Sequence, residues 1–186
     1  RNFRAPQVQM SFENDLDFIN MLEETIKPVF KSLNRISAVP LDHGTMVPLY
    51  FFKKAGYNGK IAVINYCALG NSEHMEFGKL IKNTAEKMDK NYVFIASGDL
   101  SHRVTQNAPA GYAPEGAKFD QAIENGIKNG NYASIIGMDF ILREKAGECA
   151  YNSLLTTFGL LDRKPLENKV YSYQAPFGVG YLVATL

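Results

Sequence analysis

The chain holds three histidines, so each can be weighed on its own. His43 stands in LDHGTMVPL and His102 in ASGDLSHR, each just where an apolar run gives way to polar and glycine residues. If those runs are strands, both imidazoles lie in loops beyond strand carboxyl ends. Ligands gather there in α/β proteins, because loops converge and helix N-termini add donors. Imidazole suits proton transfer in such a place, its pKa lying near working pH. For either histidine alone, an ordinary hydrogen-bonded loop residue is an equally good reading. Asp99 or Ser101 would fix the tautomer of His102. The set Asp99, Ser101, His102 is no serine-hydrolase triad: a G-x-S-x-G elbow is absent, and a serine adjoining its own base needs contorted geometry. His74, in the first turn of a helix capped by Ser72, reads as a solvated helix residue whose charged form the dipole disfavours. Glu148, in REKAGECAYNSLL, reads first as a first-turn glutamate favoured by the same dipole and second as a metal-ligating carboxylate. Cys149 beside it could tune or obstruct such a site. Neither G-x-G-x-x-G nor G-x-x-x-x-G-K-[ST] occurs, which removes simple dinucleotide and P-loop readings.

These residues need elements to hold them. Residues 11–32 carry Leu16, Ile19, Leu22 and Ile26 at helical spacing, with Ser11 and Asn14 as capping candidates, until Pro28 disturbs the pattern. RISAVPLDHG predicts a brief strand running into the His43 loop. KIAVINYCALG and NYVFIASGD are near-continuous apolar runs of strand length, the pattern of strands buried on both faces. Between them Phe77, Leu80, Ile81, Thr84, Ala85 and Met88 share one helical face, so strand, helix, strand predicts a βαβ unit with a parallel pair. After the loop VTQNAPAGYAPEG come helices marked by Phe119, Ile123 and Ile127, by Ile135, Ile136 and Phe140, and by Ala150, Leu154, Leu155 and Phe158. KVYSYQA, a PFG turn and VGYLVATL predict a closing hairpin. The expected fold is α/β, a central mostly parallel or mixed sheet flanked by helices, with residues 1–186 as one domain.

Composition narrows the class. With 186 residues, 46% of them apolar, and 20 Lys+Arg against 19 Asp+Glu, the net charge is +1. That is a globular balance, and it argues against nucleic acid or an anionic membrane as the main partner. Two cysteines make no disulfide framework. No run nears the roughly 20 apolar residues of a membrane span and no signal-peptide order is visible, so a soluble, cytoplasmic protein is expected. The opening RNFRAPQV reads as the middle of a longer sequence.

Taken together and in order, DHGTMVPL, ASGDLSH and AGECAYNSL resemble the LigB-type catalytic subunit of class III extradiol ring-cleavage dioxygenases. The branch most similar is the one found beside an AMMECR1-like domain, the AmmeMemoRadiSam group with its Memo-like proteins. The resemblance implies a non-haem Fe(II) held by two histidines and a glutamate, with open positions for a catecholate and O₂. It implies Glu148 as the carboxylate ligand, His102 as general base on the catechol hydroxyl, and His43 as a second acid/base group. Gly44, Asp99 and Ser101 would flank them at the substrate. The two ligand histidines of that family lie in motifs resembling HPP and SPH, and neither motif occurs here. The expectation is therefore a domain lacking its N-terminal part, which alone binds no stoichiometric iron, whereas the full-length parent binds Fe(II). The implied partners are a small catechol-like aromatic and O₂, with a homo-oligomer as a further expectation. A second implied reading is a Memo-like metal- or partner-binding protein acting with a radical-SAM enzyme and an AMMECR1-like domain.

Overall fold

The computed structural model describes residues 7–31, 33–36, 40–65, 67–164 and 167–186. The chain is mixed α/β, with seven helices and a two-stranded sheet among the described residues. It divides into two compact units, 1–65 and 66–186.

In the first unit, α1 (Leu16–Ile26) buries Phe18, Leu22 and Ile26, a stripe at four-residue spacing, and leaves Leu16 exposed. Its N-cap is Asp15, whose Oδ1 accepts the Phe18 N–H at 3.2 Å, rather than Ser11 or Asn14. A single parallel bridge joins the chain before α1 to the apolar run: Asp15 N–H donates to Ile61 O at 2.8 Å and Ile61 N–H to Glu13 O at 2.9 Å. The strand expected over 35–44 is not formed by the described residues, and 37–39 lie outside them. His43 instead opens α2 (His43–Lys54), because Asp42 caps that helix by accepting the Thr45 N–H at 2.8 Å.

The second unit contains α3 (Asn71–Glu86), α4 (Pro114–Lys128), α5 (Tyr132–Ile136), α6 (Phe140–Ala146), α7 (Tyr151–Leu160), β1 (Lys169–Gln174) and β2 (Tyr181–Thr185). Ile135, Ile136 and Phe140, expected to mark one helix, fall on two, α5 and α6, since Asp139 starts α6 by accepting the Leu142 N–H at 3.2 Å. Helices α3 and α7 touch backbone to backbone: a Cβ on Gly78 would collide with Thr156 O, and one on Gly159 with Met75 O. Phe119, Ile123, Ile127, Ile135, Tyr151, Leu155 and Phe158 form the sealed centre. Antiparallel β1 and β2 make the predicted hairpin and lay Val170, Tyr173, Leu182 and Ala184 against that core.

The apolar runs 60–69 and 91–99 enter no ladder among the described residues apart from the Ile61 bridge. Val63, Ile64 and Ile95 are exposed, and Val93 is 75% exposed. An apolar run signals a need for burial, and a ladder requires in addition a neighbouring strand. His74 is also not the solvated residue expected: it is 2% exposed, its Nδ1 lies 3.0 Å from Gly70 O, and Glu73, not Ser72, caps α3 by accepting the Gly70 N–H at 2.7 Å. No described helix is long and apolar enough to cross a membrane.

Candidate active site

Two loops of the second unit are stitched together, the one after the second apolar run and the one between α6 and α7. Gly98 permits this, since a Cβ there would lie 2.6 Å from Ala150 Cα and 2.9 Å from Cys149 O. Cys149 N–H donates to Asp99 O at 3.1 Å, Asp99 N–H donates to Cys149 Sγ at 3.1 Å, and Ser153 Oγ donates to Ser97 O at 3.0 Å. On its other side the loop is tied to the hairpin turn. Leu100 N–H donates to Gly180 O at 2.9 Å, Gly180 N–H to Ser101 O at 2.8 Å, and Val104 N–H to Gly178 O at 2.9 Å. Ser101 is fully buried; its hydroxyl donates to Ala146 O at 2.8 Å and accepts the Arg103 N–H at 2.9 Å. It braces the loop and offers no free hydroxyl to a substrate, nor does it set the His102 tautomer.

His102 Nε2 lies 3.4 Å from Asp99 Oδ2 and 3.9 Å from Cys149 Sγ, and the His102 and Asp99 side chains are about a third exposed, 31% and 38%. Carboxylate, imidazole and thiol thus share one half-open spot, their ligand atoms all within 4.8 Å of one another. Ligands at about 2.1–2.3 Å from a tetrahedral ion lie roughly 3.4–3.8 Å apart, near the two separations from His102 Nε2. Imidazole with a thiolate suits a divalent first-row metal. The Cys149 thiol is pushed up in pKa, first by burial and further by the Asp99 and Glu148 charges, although its hydrogen bond with Asp99 opposes this. Without a cation it stays protonated, and a bound metal would reverse that balance.

Glu148 sits apart from this cluster in its bonding. Its side chain is 8% exposed; Oε2 accepts the Tyr151 N–H at 2.7 Å, capping α7, and Oε1 faces Arg143 Nη2 at 3.3 Å. The Arg143 guanidinium lies 3.5 Å from the centroid of the Tyr151 ring. Glu148 therefore does the work of a helix-start carboxylate, and both its oxygens are engaged by protein donors. With Phe140, Glu144 and Gly147, this pair lines a recess of about 280 Å³.

His43 and Gly44 are the first two residues of α2 in the first unit. The neighbouring Asp42 carboxyl is held below its usual range by the hydrogen bonds it accepts from the Thr45 backbone N–H and hydroxyl. Two residues were not singled out as site members by sequence reasoning. Cys149 was noted only as a neighbour of Glu148, and Asp120, 1% exposed on α4, accepts the Ser101 N–H at 2.8 Å from behind the loop. Its signal was present: a carboxylate at 120 falls in register with Ile123 and Ile127 on an apolar face.

Residues 1–184 match the family described as the catalytic LigB subunit of aromatic ring-opening dioxygenase. The chain is 37% identical over 197 residues to Protein CA_C1420 of Clostridium acetobutylicum, a match covering 100% of this chain and 42% of that protein. It is 32% identical over 111 residues to the 4,5-DOPA dioxygenase extradiol of Beta vulgaris, covering 57% of this chain and 39% of that protein. The chain spans less than half the length of these curated relatives.

Proposed function

Because this chain belongs to the family of catalytic LigB subunits of aromatic ring-opening dioxygenases, we propose that it contributes the proton-transfer part of an extradiol ring-opening site acting on a catechol-like aromatic and O₂. The observation that carries this is His102 Nε2 set between Asp99 Oδ2 at 3.4 Å and Cys149 Sγ at 3.9 Å. Asp99 orients the imidazole, so that His102 can take the proton of a catechol hydroxyl and return it to the ring-opened product. The resemblance also makes His43, with Gly44 beside it at the start of α2, a second acid/base group of the proposal.

The metal is assigned differently from the resemblance. Cys149, not Glu148, is the residue of this chain that would hold the ion, because its sulfur faces the half-open cluster whereas the Glu148 oxygens are occupied by Arg143 and the Tyr151 N–H. Fe(II), when bound, would supply the positions at which dioxygen and catecholate meet. Two upstream histidines of the full-length parent complete the ligand set in this proposal. A second reading makes Asp99, His102 and Cys149 all direct ligands, favoured by their mutual closeness within 4.8 Å.

One set of variants in the full-length parent tests both. His102→Ala is expected to keep Fe(II) binding while lowering catechol-dependent O₂ uptake by about 10²–10⁴, the range of positioned acid/base catalysis. Cys149→Ala is expected to lose the metal. Loss of metal in both variants would favour three direct ligands. A metal-loaded parent that consumes no O₂ with any catechol would refute the dioxygenase reading and leave a Memo-like binding role with AMMECR1-like and radical-SAM partners.

A further inference from the structure

Asp120 is a carboxylate buried on the core face of α4, flanked by Phe119, Ile123 and Ile127. It receives two hydrogen bonds, the Ser101 N–H on Oδ1 at 2.8 Å and the Tyr173 hydroxyl on Oδ2 at 2.7 Å. A carboxyl in such a place is costly, and the backbone N–H it accepts belongs to Ser101, the residue just before His102 and two after Asp99. We propose that Asp120 is the positioning residue of the Asp99–His102 loop, fixing the direction in which those two side chains meet Cys149.

Three elements converge on Ser101. Helix α4 brings Asp120, strand β1 brings Tyr173, and the hairpin turn brings Gly180, whose N–H donates to Ser101 O at 2.8 Å while its own oxygen accepts from Leu100. Gly180 is required for that arrangement, since a Cβ there would run into Asp120 Oδ2. The Ser101 hydroxyl is directed elsewhere, to Ala146 O, so Asp120 takes the backbone N–H and nothing else of the loop. With its N–H held by α4, its oxygen by the hairpin and its hydroxyl by the end of α6, Ser101 has no freedom to rotate. Asp99 and His102 therefore leave the backbone along fixed directions. The functional consequence rests on His102 being the proton-transfer group, but the positioning itself does not.

The test reads geometry in the 186-residue chain by NMR, without metal or substrate. In Asp120→Ala, amide exchange at Ser101 and His102 is expected to accelerate at least tenfold while amides of α7 stay within twofold. The cross-relaxation between the His102 ring and the Cys149 β protons is expected to weaken. Asp120→Asn is expected to restore both, because its amide oxygen still accepts the Ser101 N–H and its NH₂ donates to the Tyr173 oxygen. Tyr173→Phe should give the same loop-confined change at smaller amplitude, and it keeps the test valid if Asp120→Ala does not fold. The proposal is overturned if the loop is unaffected in Tyr173→Phe, or if Asp120→Asn behaves like Asp120→Ala. A parent protein without ring cleavage would sink the functional reading and leave this result untouched.

Discussion

Replacing Asp120 by asparagine has a pH dependence whose size follows from the structure. Burial pushes the Asp120 carboxyl from 3.8 up to about 6, against the lowering effects of the Tyr173 hydroxyl, the Ser101 N–H and the His102 charge. The folded protein thus binds this proton more tightly than the unfolded chain. Stability due to neutral Asp120 is fully present below about pH 4 and is lost as pH rises through about 6. The ratio of the two proton affinities is on the order of 10², equivalent to about 3 kcal/mol. Roughly 2–3 kcal/mol of that falls between pH 4 and pH 7. Asparagine keeps both hydrogen bonds and does not titrate. Urea unfolding of the chain and of Asp120→Asn between pH 4 and pH 7.5 isolates the effect, because every other carboxylate is common to both proteins. The stability of wild type minus variant should fall by that amount as pH rises. A flat difference would mean that burial and hydrogen bonding cancel at Asp120. A difference that grows with pH would mean that the hydrogen bonds win, and the reasoning from burial would be wrong.

Gly159→Ala should destabilise the second unit by about 1–3 kcal/mol or more, seen as a lower urea midpoint, because α3 and α7 must separate to admit one methyl against Met75 O. Glu148→Ala should cost about 1–2 kcal/mol through loss of the α7 cap and of the Arg143 partner, while leaving divalent-metal affinity of the full-length parent unchanged by calorimetric titration. A variant that loses metal instead would return Glu148 to the ligand set. Iodoacetamide at pH 7.5 should label Cys67, which is exposed, well before Cys149, whose thiol is raised by burial, as read by peptide mass spectrometry. Equal labelling rates would contradict the environment assigned to Cys149.

Helices were legible where the sequence carries both a period and a boundary. Phe119, Ile123 and Ile127 gave α4 its buried stripe, and Pro114 stands at its first turn. Gly147, at φ +63°, ends α6 in the left-handed conformation and lets Glu148 turn back to cap α7. The hairpin was legible from its β-branched and aromatic runs about the PFG turn, but not the bulge between Val170 and Ser172 through which Val170 and Tyr173, three residues apart, both face in with Leu182 and Ala184. Less was legible in residues 60–69 and 91–99. Their composition states that they are apolar, but pairing is a relation between two segments, and no single run encodes its neighbour. His43 was misplaced for a local reason: PLDHG reads as a turn until Asp42 is recognised as a cap, and then the same letters open a helix.

At the site, residue types foretold less than the bonds that occupy them. Glu148 and Asp120 are both carboxylates near helices, yet one is held by a cation and a helix N-terminus and the other by a peptide N–H and a phenol. Neither assignment follows from spacing, because the partners lie on different elements: Ser101 is 19 residues from Asp120, and Tyr173 is 53. Asp99 and His102, three residues apart, could be paired from the sequence, as local contacts often can. Cys149, 47 residues from His102, could not, since it reaches the histidine only through Gly98, which lets one loop lie flat on the other. Gly98→Ala therefore separates contact from chemistry: it alters no ligand atom, yet a Cβ there presses on Cys149 O and Ala150 Cα, and should displace the Cys149 sulfur and weaken divalent-metal binding in the full-length parent at least tenfold. Unchanged binding in a folded Gly98→Ala protein would show that the placement of the Cys149 sulfur has no part in holding the ion.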